Sequence, residues 1–195
     1  MTETSTLTPT LSHRLKTETR AAHEALDSRI MTSRPFDSRE HYALFLGMQH
    51  AFHRDIQPIY RDPQIAALLP DLAQRCRLSA IEADLDDLGL EVVPAKPAVD
   101  LDQDFATRLG WLYVAEGSNL GAAFLIKEAA KLDLHEGFGA RHLAASPDGR
   151  GRQWKSFQAA VDVAGLDEAA QARAIAGAVA AFKRVQHLAE DAFAA

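Results

Sequence analysis

The chain has a single cysteine, Cys76, and no long apolar run. One cysteine cannot close an internal disulfide, and its neighbours form no CxxC or zinc-ligand pattern, which favours a reducing compartment. No apolar stretch approaches the roughly 20 residues of a membrane-spanning helix. The opening segment MTETSTLTP lacks the cationic start and apolar core of a signal peptide. We therefore expect a cytoplasmic protein that is not inserted in a membrane.

An excess of positive charge is also missing. The 195 residues include 21 Lys and Arg against 27 Asp and Glu, for a formal net charge of −6. Because phosphate backbones are bound mainly through Lys and Arg, this balance argues against nucleic acid as a partner. The 47% of hydrophobic residues is enough for a sizeable core. We expect a flexible tail over 1–9 followed by one domain over 10–195.

Alternation of apolar and polar residues, the pattern of half-buried strands, is absent, as are internal repeats. Apolar residues instead recur at spacings of three and four, which predicts an all-α fold. The predicted helices span Leu11 to about Met31, residues 41–60 with Ser38 or Asp37 as the cap, about 64–88 before Gly89, Asp102 to about Leu132, 153–163, and Asp167 to about Phe193. Residues 90–100 are predicted to be an extended connector and 133–153 mainly a loop.

Two polar side chains lie on the apolar stripe of the second predicted helix. Gln49 and His53 share a helix face with Phe45 and Ile56. Buried polar groups need partners, so the pattern predicts either a structural hydrogen-bond network or a wet cavity. His50 and His53 could also suggest a metal site. A di-metal bundle would require Glu-x-x-His pairs on two helices, and the chain has none.

His23 lies on the apolar stripe of the first predicted helix, where a lone histidine is more often a core residue than a ligand. Asp27 follows one turn later and could orient the imidazole, as the partners of metal-ligating histidines do. Lys16 precedes it by two turns, about 10 Å along a straight helix. An axial ligand and a cation at that separation suit a flat dianionic ligand with a central metal, such as haem.

The segment AEGSNLGAAF places Gly117 and Gly121 inside a predicted helix. Each glycine weakens a helix by about 1 kcal/mol relative to alanine. Residues four apart share a helix face, so the pair creates a bare strip where the backbone could approach a flat ligand. Close packing against another helix through small residues explains the pattern equally well.

Five segments together resemble the haem oxygenase family, specifically its bacterial branch. They are LKTETRAAHEAL (15–26), MQHAFHRDIQPIYRD (48–62), GWLYVAEGSNLGAAFLIKEA (110–129) and the pair FGARHLA and GRQWKSF (138–144 and 151–157). The similarity covers most of residues 11–193. It implies an all-α bundle that holds haem between a proximal helix and a distal helix kinked at the glycines.

The resemblance also implies roles for individual residues. His23 matches the axial ligand of the haem iron, Lys16 a partner of a haem propionate, and Tyr113 an aromatic residue on the propionate side. Gly117, Ser118 and Gly121 match the flexible distal segment. The remaining matches are expected to hold the distal water network or to support the ligand: Asp27, Gln49, His53, Arg77 and Trp154.

The activity implied is that of a monooxygenase-type oxidoreductase for which haem b is both cofactor and substrate. With O₂ and electrons from a ferredoxin or flavoprotein reductase, a meso carbon is cleaved to give biliverdin, CO and Fe²⁺. Relatives that cut at other meso positions carry lysines at positions equivalent to Met31 and Glu128 and an asparagine at Lys16, so the α isomer is expected here. A bilin-binding photoreceptor is a candidate user of the product. Two alternatives are a module with a similar slot that stores or delivers haem without degrading it, and an all-α enzyme on a similar fold that acts on an organic cofactor.

Overall fold

α-Helices provide nearly all the regular structure in residues 9–91 and 104–194, the two stretches that the computed structural model describes. They are α1 (Leu11–Glu18), α2 (Arg20–Thr32), α3 (Arg39–Ile56), α4 (Pro63–Leu68), α5 (Leu78–Asp87), α6 (Phe105–Ala130), α7 (Arg150–Asp162) and α8 (Glu168–Ala192). Short 3₁₀ helices lie at Gln57–Arg61, Leu72–Arg75 and Arg141–Leu143. These two stretches contain no β-strand, which confirms the all-α prediction.

The two longest helices, α6 and α8, pack together in the centre of the bundle. Two glycines bring their backbones into contact. A Cβ atom on Gly110 would lie 1.9 Å from the carbonyl oxygen of Ala174, and one on Gly177 would lie 2.5 Å from that of Thr107. Neither glycine can therefore gain a side chain without separating the helices. Helices α2 and α3 also pack against α8, so α8 is the common support of the site described below.

Side-chain caps define where several helices begin. Ser38 accepts a hydrogen bond from the backbone N–H of His41 at the start of α3, as predicted. Asp104 and Asp167 cap α6 and α8 in the same way. Such caps satisfy N–H groups that have no partner within the helix. The starts of the two central helices are thus encoded locally.

Two predicted helices are interrupted. The helix expected over Leu11 to Met31 is two helices, because it breaks at Thr19, whose hydroxyl donates to the carbonyl of Leu15 at 2.7 Å. Such back-bonding is known to bend helices. The helix expected over 64–88 is divided into α4, a 3₁₀ helix and α5. Residue Leu69 leaves helical geometry directly before Pro70, as residues before proline tend to do.

The remaining predicted boundaries differ less. Helix α3 ends at Ile56 and a 3₁₀ helix completes the predicted segment to Arg61. Gly89, with φ of +65°, follows α5 as the expected stop. Most of the predicted connector at 90–100, residues 102 and 103, and the tail before Pro9 lie outside the described residues. Within the described ranges, no helix is long and apolar enough to cross a membrane.

Candidate functional site

The glycine strip of α6 faces open space. No atom in the described part of the chain lies within 4 Å of where a Cβ on Gly121 would stand. A Cβ on Gly117 would meet only the ring of Trp154, at 3.7 Å. The close-packing explanation is therefore wrong for this pair, although it holds for Gly110. Helix α6 is continuous across both glycines, and neither has a positive φ, so the segment uses their missing side chains rather than their backbone freedom.

Large apolar side chains border this strip. Leu120 is 41% exposed and Phe124 is 50% exposed, both on α6. Exposed apolar residues that cluster on a surface often mark a ligand or partner site. Ser118, also exposed, donates its hydroxyl to the carbonyl of Ala115 at 2.7 Å and is thereby held against its own helix. The strip thus combines apolar walls with an accessible backbone.

His23 is on the surface of α2 and not in the core. Its side chain is 59% exposed, whereas Leu15 and Leu26 of the predicted stripe are buried. The prediction that His23 shares their inward face is wrong, because α2 buries only one of its residues, Leu26, and His23 is not on that line of contact. Its Nδ1 atom lies 3.2 Å from a carboxylate oxygen of Asp27, as the spacing suggested, and its ring meets the edge of Phe182 on α8. The Nε2 atom is the one that could ligate a metal.

Helices α2 and α6 both pack on α8 and not extensively on each other. Their link at one end is Tyr113 of α6, which contacts Thr19 at the start of α2. Burial raises the pKa of the Tyr113 phenol, and a hydrogen bond with Thr19 partly opposes this. Lys16 is exposed on α1, close in sequence to that junction. Because α1 ends at Glu18, the straight-helix separation between Lys16 and His23 does not apply.

A buried polar cluster contains two of the predicted distal residues, His53 and Arg77, together with His142 and Asp84. Asp84 accepts hydrogen bonds from the imidazole Nδ1 of His142 at 2.8 Å and from two backbone N–H groups, of Arg141 and of His142. Burial, followed by electrostatic repulsion from His142 and Arg77 when His53 is protonated, lowers the pKa of His53 to about 3. His53 is therefore neutral at physiological pH.

Several atoms of this cluster have no hydrogen-bond partner among the described residues: His53 Nδ1, His142 Nε2 and Arg77 Nε. Buried polar atoms without protein partners are commonly satisfied by ordered water. Gln49 is half-buried one turn before His53 on α3. The predicted inward placement is confirmed for His53, whereas the side chain of Gln49 is only partly buried.

Trp154 lies among aromatic rings. Its ring is 5.5 Å from that of Tyr113 and is stacked on Phe157 at 5.7 Å, measured between centroids. It is also the neighbour of the Gly117 strip. The part of the chain that the structure describes has no group of three or more His, Cys, Asp or Glu suited to a metal ion, so the His50 and His53 metal hypothesis gains no support.

Sequence reasoning missed a buried ion pair beside the strip. Arg75 donates to Glu116 at 2.7 Å, and both side chains are 1% exposed. Glu116 stands in the apolar run GWLYVAEGSNLGAAFL, and a charge inside such a run requires a buried partner. That signal identifies Glu116 as unusual. The partner's identity depends on the fold.

A family model described as heme oxygenase matches residues 9–191. The chain is 46% identical over 184 residues to heme oxygenase PigA of Pseudomonas aeruginosa, which covers 94% of this chain and 93% of that protein. It is also similar to a crystal structure of the NO- and CO-bound heme oxygenase of Neisseria meningitidis, with a TM-score of 0.88 and 39% identity over 96% of this chain and 94% of that one. Heme oxygenase of Leptospira interrogans shares the fold, with a TM-score of 0.74 at 17% identity over 94% and 100% of the two chains.

Proposed function

Because the chain belongs to the haem oxygenase family and is an enzyme that acts on haem, we propose that it cleaves haem b at the α-meso carbon, with His23 as the axial ligand. The products are biliverdin, CO and Fe²⁺, and the electrons come from a ferredoxin or a flavoprotein reductase. When bound, haem supplies both the iron that binds O₂ and the ring that is oxidised. The domain that performs this reaction is residues 10–195.

One observation carries the proposal. An exposed histidine and an unfilled backbone strip lie on α2 and α6, two helices that share α8 as support. Haem fits these residues chemically. The His23 imidazole offers a nitrogen to iron, the strip at Gly117 and Gly121 admits a flat ring, and exposed Met31, Leu120 and Phe124 provide apolar contact.

The polar residues have separate tasks in this proposal. Asp27 orients the imidazole of His23 through Nδ1, which leaves Nε2 for the iron. Lys16 and Tyr113 meet the haem propionates. Gly117, Ser118 and Gly121 leave room for O₂ and water above the ring.

Protons reach the distal side through water held by Gln49, His53 and Arg77, with Trp154 closing the apolar edge. Since the pKa of His53 is about 3, this histidine is neutral at physiological pH. It offers one hydrogen-bond donor and one acceptor without adding charge to the pocket. The partnerless atoms of His53 and Arg77 support such a role, since water can bridge them.

The expected α regiochemistry depends on which side chains bind the haem propionates. Met31 is an exposed apolar residue, and Glu128 is paired with Lys131 at 2.6 Å, so neither supplies the cation found there in relatives that rotate the haem. Chromatography of the product is expected to show mainly the α isomer. The variant Lys16→Asn/Met31→Lys/Glu128→Lys should shift the product to other isomers. A wild-type product that is mainly β or δ would refute this assignment.

The decisive experiment is aerobic turnover of the haem complex with a reductant. The Soret band should decay as a biliverdin band appears. A haem-storage module with the same slot would keep its Soret band, and an enzyme for an organic cofactor would show no axial haem spectrum. His23→Ala should lose normal ligation and turnover, while His13→Ala, an exposed histidine on α1, should retain both. Full turnover in His23→Ala would disprove the axial assignment.

A further inference from the structure

A single buried guanidinium joins three elements next to the glycine strip. Arg75 belongs to the 3₁₀ helix Leu72–Arg75, and its side chain is 1% exposed. Nη1 donates to a carboxylate oxygen of Glu116 on α6 at 2.7 Å and to the carbonyl of Gln153 on α7 at 3.2 Å. Nη2 donates to the hydroxyl of Ser156 at 2.7 Å, and Nε lies 2.9 Å from Asp71.

The residues that Arg75 binds on α6 and α7 are sequence neighbours of two residues that lie close to each other, Gly117 and Trp154. Glu116 directly precedes Gly117, and Gln153 directly precedes Trp154. The Trp154 ring is the only group near a Cβ position on Gly117, within the described ranges, at 3.7 Å. The position of α6 relative to Trp154 is therefore determined close to where Arg75 holds both helices.

General stability does not account for this pair well. Burial raises the pKa of Glu116, which Arg75 only partly offsets, so the carboxylate is held in an unfavourable environment. Replacing a buried ion pair by apolar residues of similar volume is often neutral or stabilising. What apolar residues cannot reproduce is a planar fork with several donors at fixed angles. The glycines also weaken α6 at this point, which increases the need for an external restraint.

We propose that Arg75 is a positioning residue of the haem site: through Glu116 and the Gln153 carbonyl, it fixes the α6 backbone at Gly117 against Trp154. The effect of this restraint on the reaction rests on the proposed function, because the restrained segment is the one that would face O₂. The restraint itself is a property of the protein before haem binds. It can therefore be measured without turnover.

The first test is amide hydrogen exchange of the haem-free protein. Arg75→Met/Glu116→Leu removes both charges and retains volume, and Asp71 is half-exposed and tolerates the loss of its partner. Exchange should rise about tenfold in peptides covering 113–124, with the α8 peptides and Tm close to wild type. The matched control is Asp55→Leu/Arg184→Met, which removes another ion pair with a fully buried carboxylate, between α3 and α8, and should leave 113–124 unchanged.

The second test uses the haem complex. The acid–alkaline midpoint of its ferric absorption spectrum should shift in the double variant and not in the control pair. Arg75→Lys keeps the charge but not the fork, so its Tm should also stay close to wild type while exchange of 113–124 rises. If the double variant does not fold, the same exchange measurement is made on Glu116→Gln. A smaller increase in the exchange of 113–124 is then expected.

Two results would overturn the proposal: wild-type exchange and midpoint in the double variant, or a uniform rise in exchange along the whole chain. The latter would show that the pair acts on global stability alone. Absence of biliverdin from the wild-type enzyme would instead refute the proposed function, and the exchange result on Arg75 would stand independently.

Discussion

At the scale of single residues, Gly121 shows that a glycine can be kept for the space it leaves. Gly121→Leu adds a side chain where no described atom lies within 4 Å of the Cβ position, so folding should be little affected. Leucine is also a better helix former than glycine, by up to about 1 kcal/mol. Thermal unfolding of the haem-free variant should match or exceed wild type, while haem titration shows weakened binding or lost turnover. Normal biliverdin formation by this variant would disprove the distal role.

The carboxylate beside His23 allows a second residue-scale prediction. Asp27→Ala should weaken haem binding by about 10- to 100-fold, the usual effect of removing a group that orients a metal-ligating histidine. Both side chains are exposed, so stability should not change. Glu24→Ala is the matched control, since Glu24 is a similarly exposed acid on α2 whose carboxylate lies 4.0 Å from Arg20. Equal haem affinities for the two variants would show that Asp27 does not orient the ligand.

At the scale of helices, Gly110 allows close helix packing, whereas Gly121 leaves an open space. A Cβ on Gly110 would lie 1.9 Å from a carbonyl oxygen of α8, far inside van der Waals contact. Gly110→Ala should therefore force α6 and α8 apart and destabilise the protein by about 1–3 kcal/mol or more, as overpacked cores do. Chemical denaturation measures this loss. Gly47 is itself exposed on α3 and a Cβ there would meet nothing within 4 Å, so Gly47→Ala should be neutral or slightly stabilising.

Which parts of the helices were predictable depends on whether the signal is local. Ser38 caps α3 through its own side chain, so its role can be deduced from the sequence around it. The break at Thr19 depends on one hydroxyl that bonds to Leu15, which many helical threonines do without ending a helix. Because the break ends the continuous helix, the spacing between Leu15 and His23 no longer shows whether that histidine is buried or exposed.

The candidate site shows the same limit. Spacing grouped Gly117 with Gly121 and His53 with Gln49, since both relations lie within one helix. The spacing of Gly117 and Gly121 could not separate a bare strip from a packed one, because that depends on what α8 and Trp154 occupy. Pairings such as Arg75 with Glu116 and His142 with Asp84 join residues 41 and 58 positions apart. They follow from tertiary packing alone.

At the scale of the whole molecule, the buried histidines couple folding to pH. Burial lowers the pKa of His53 to about 3, and it also lowers that of His142 against the opposing influence of Asp84. His53 remains neutral in the native state where an unfolded histidine, with a pKa of about 6.5, takes up a proton, and the pKa of His142 is shifted in the same direction. The unfolded state then binds more protons, so stability falls as pH falls below about 6.5.

This predicts a stability slope of about 1.4 kcal/mol per pH unit from His53 below pH 6. Denaturation of the haem-free protein between about pH 6 and pH 5 measures it before the carboxylates begin to titrate appreciably. His53→Gln keeps a polar side chain but cannot take up the proton, so its slope should be lower than wild type by about that amount. His13→Ala removes an exposed histidine and should retain the wild-type slope. If His53→Gln instead kept the full slope, His53 would have to be protonated in the native state, and its role as a neutral hydrogen-bonding group in the pocket would be wrong.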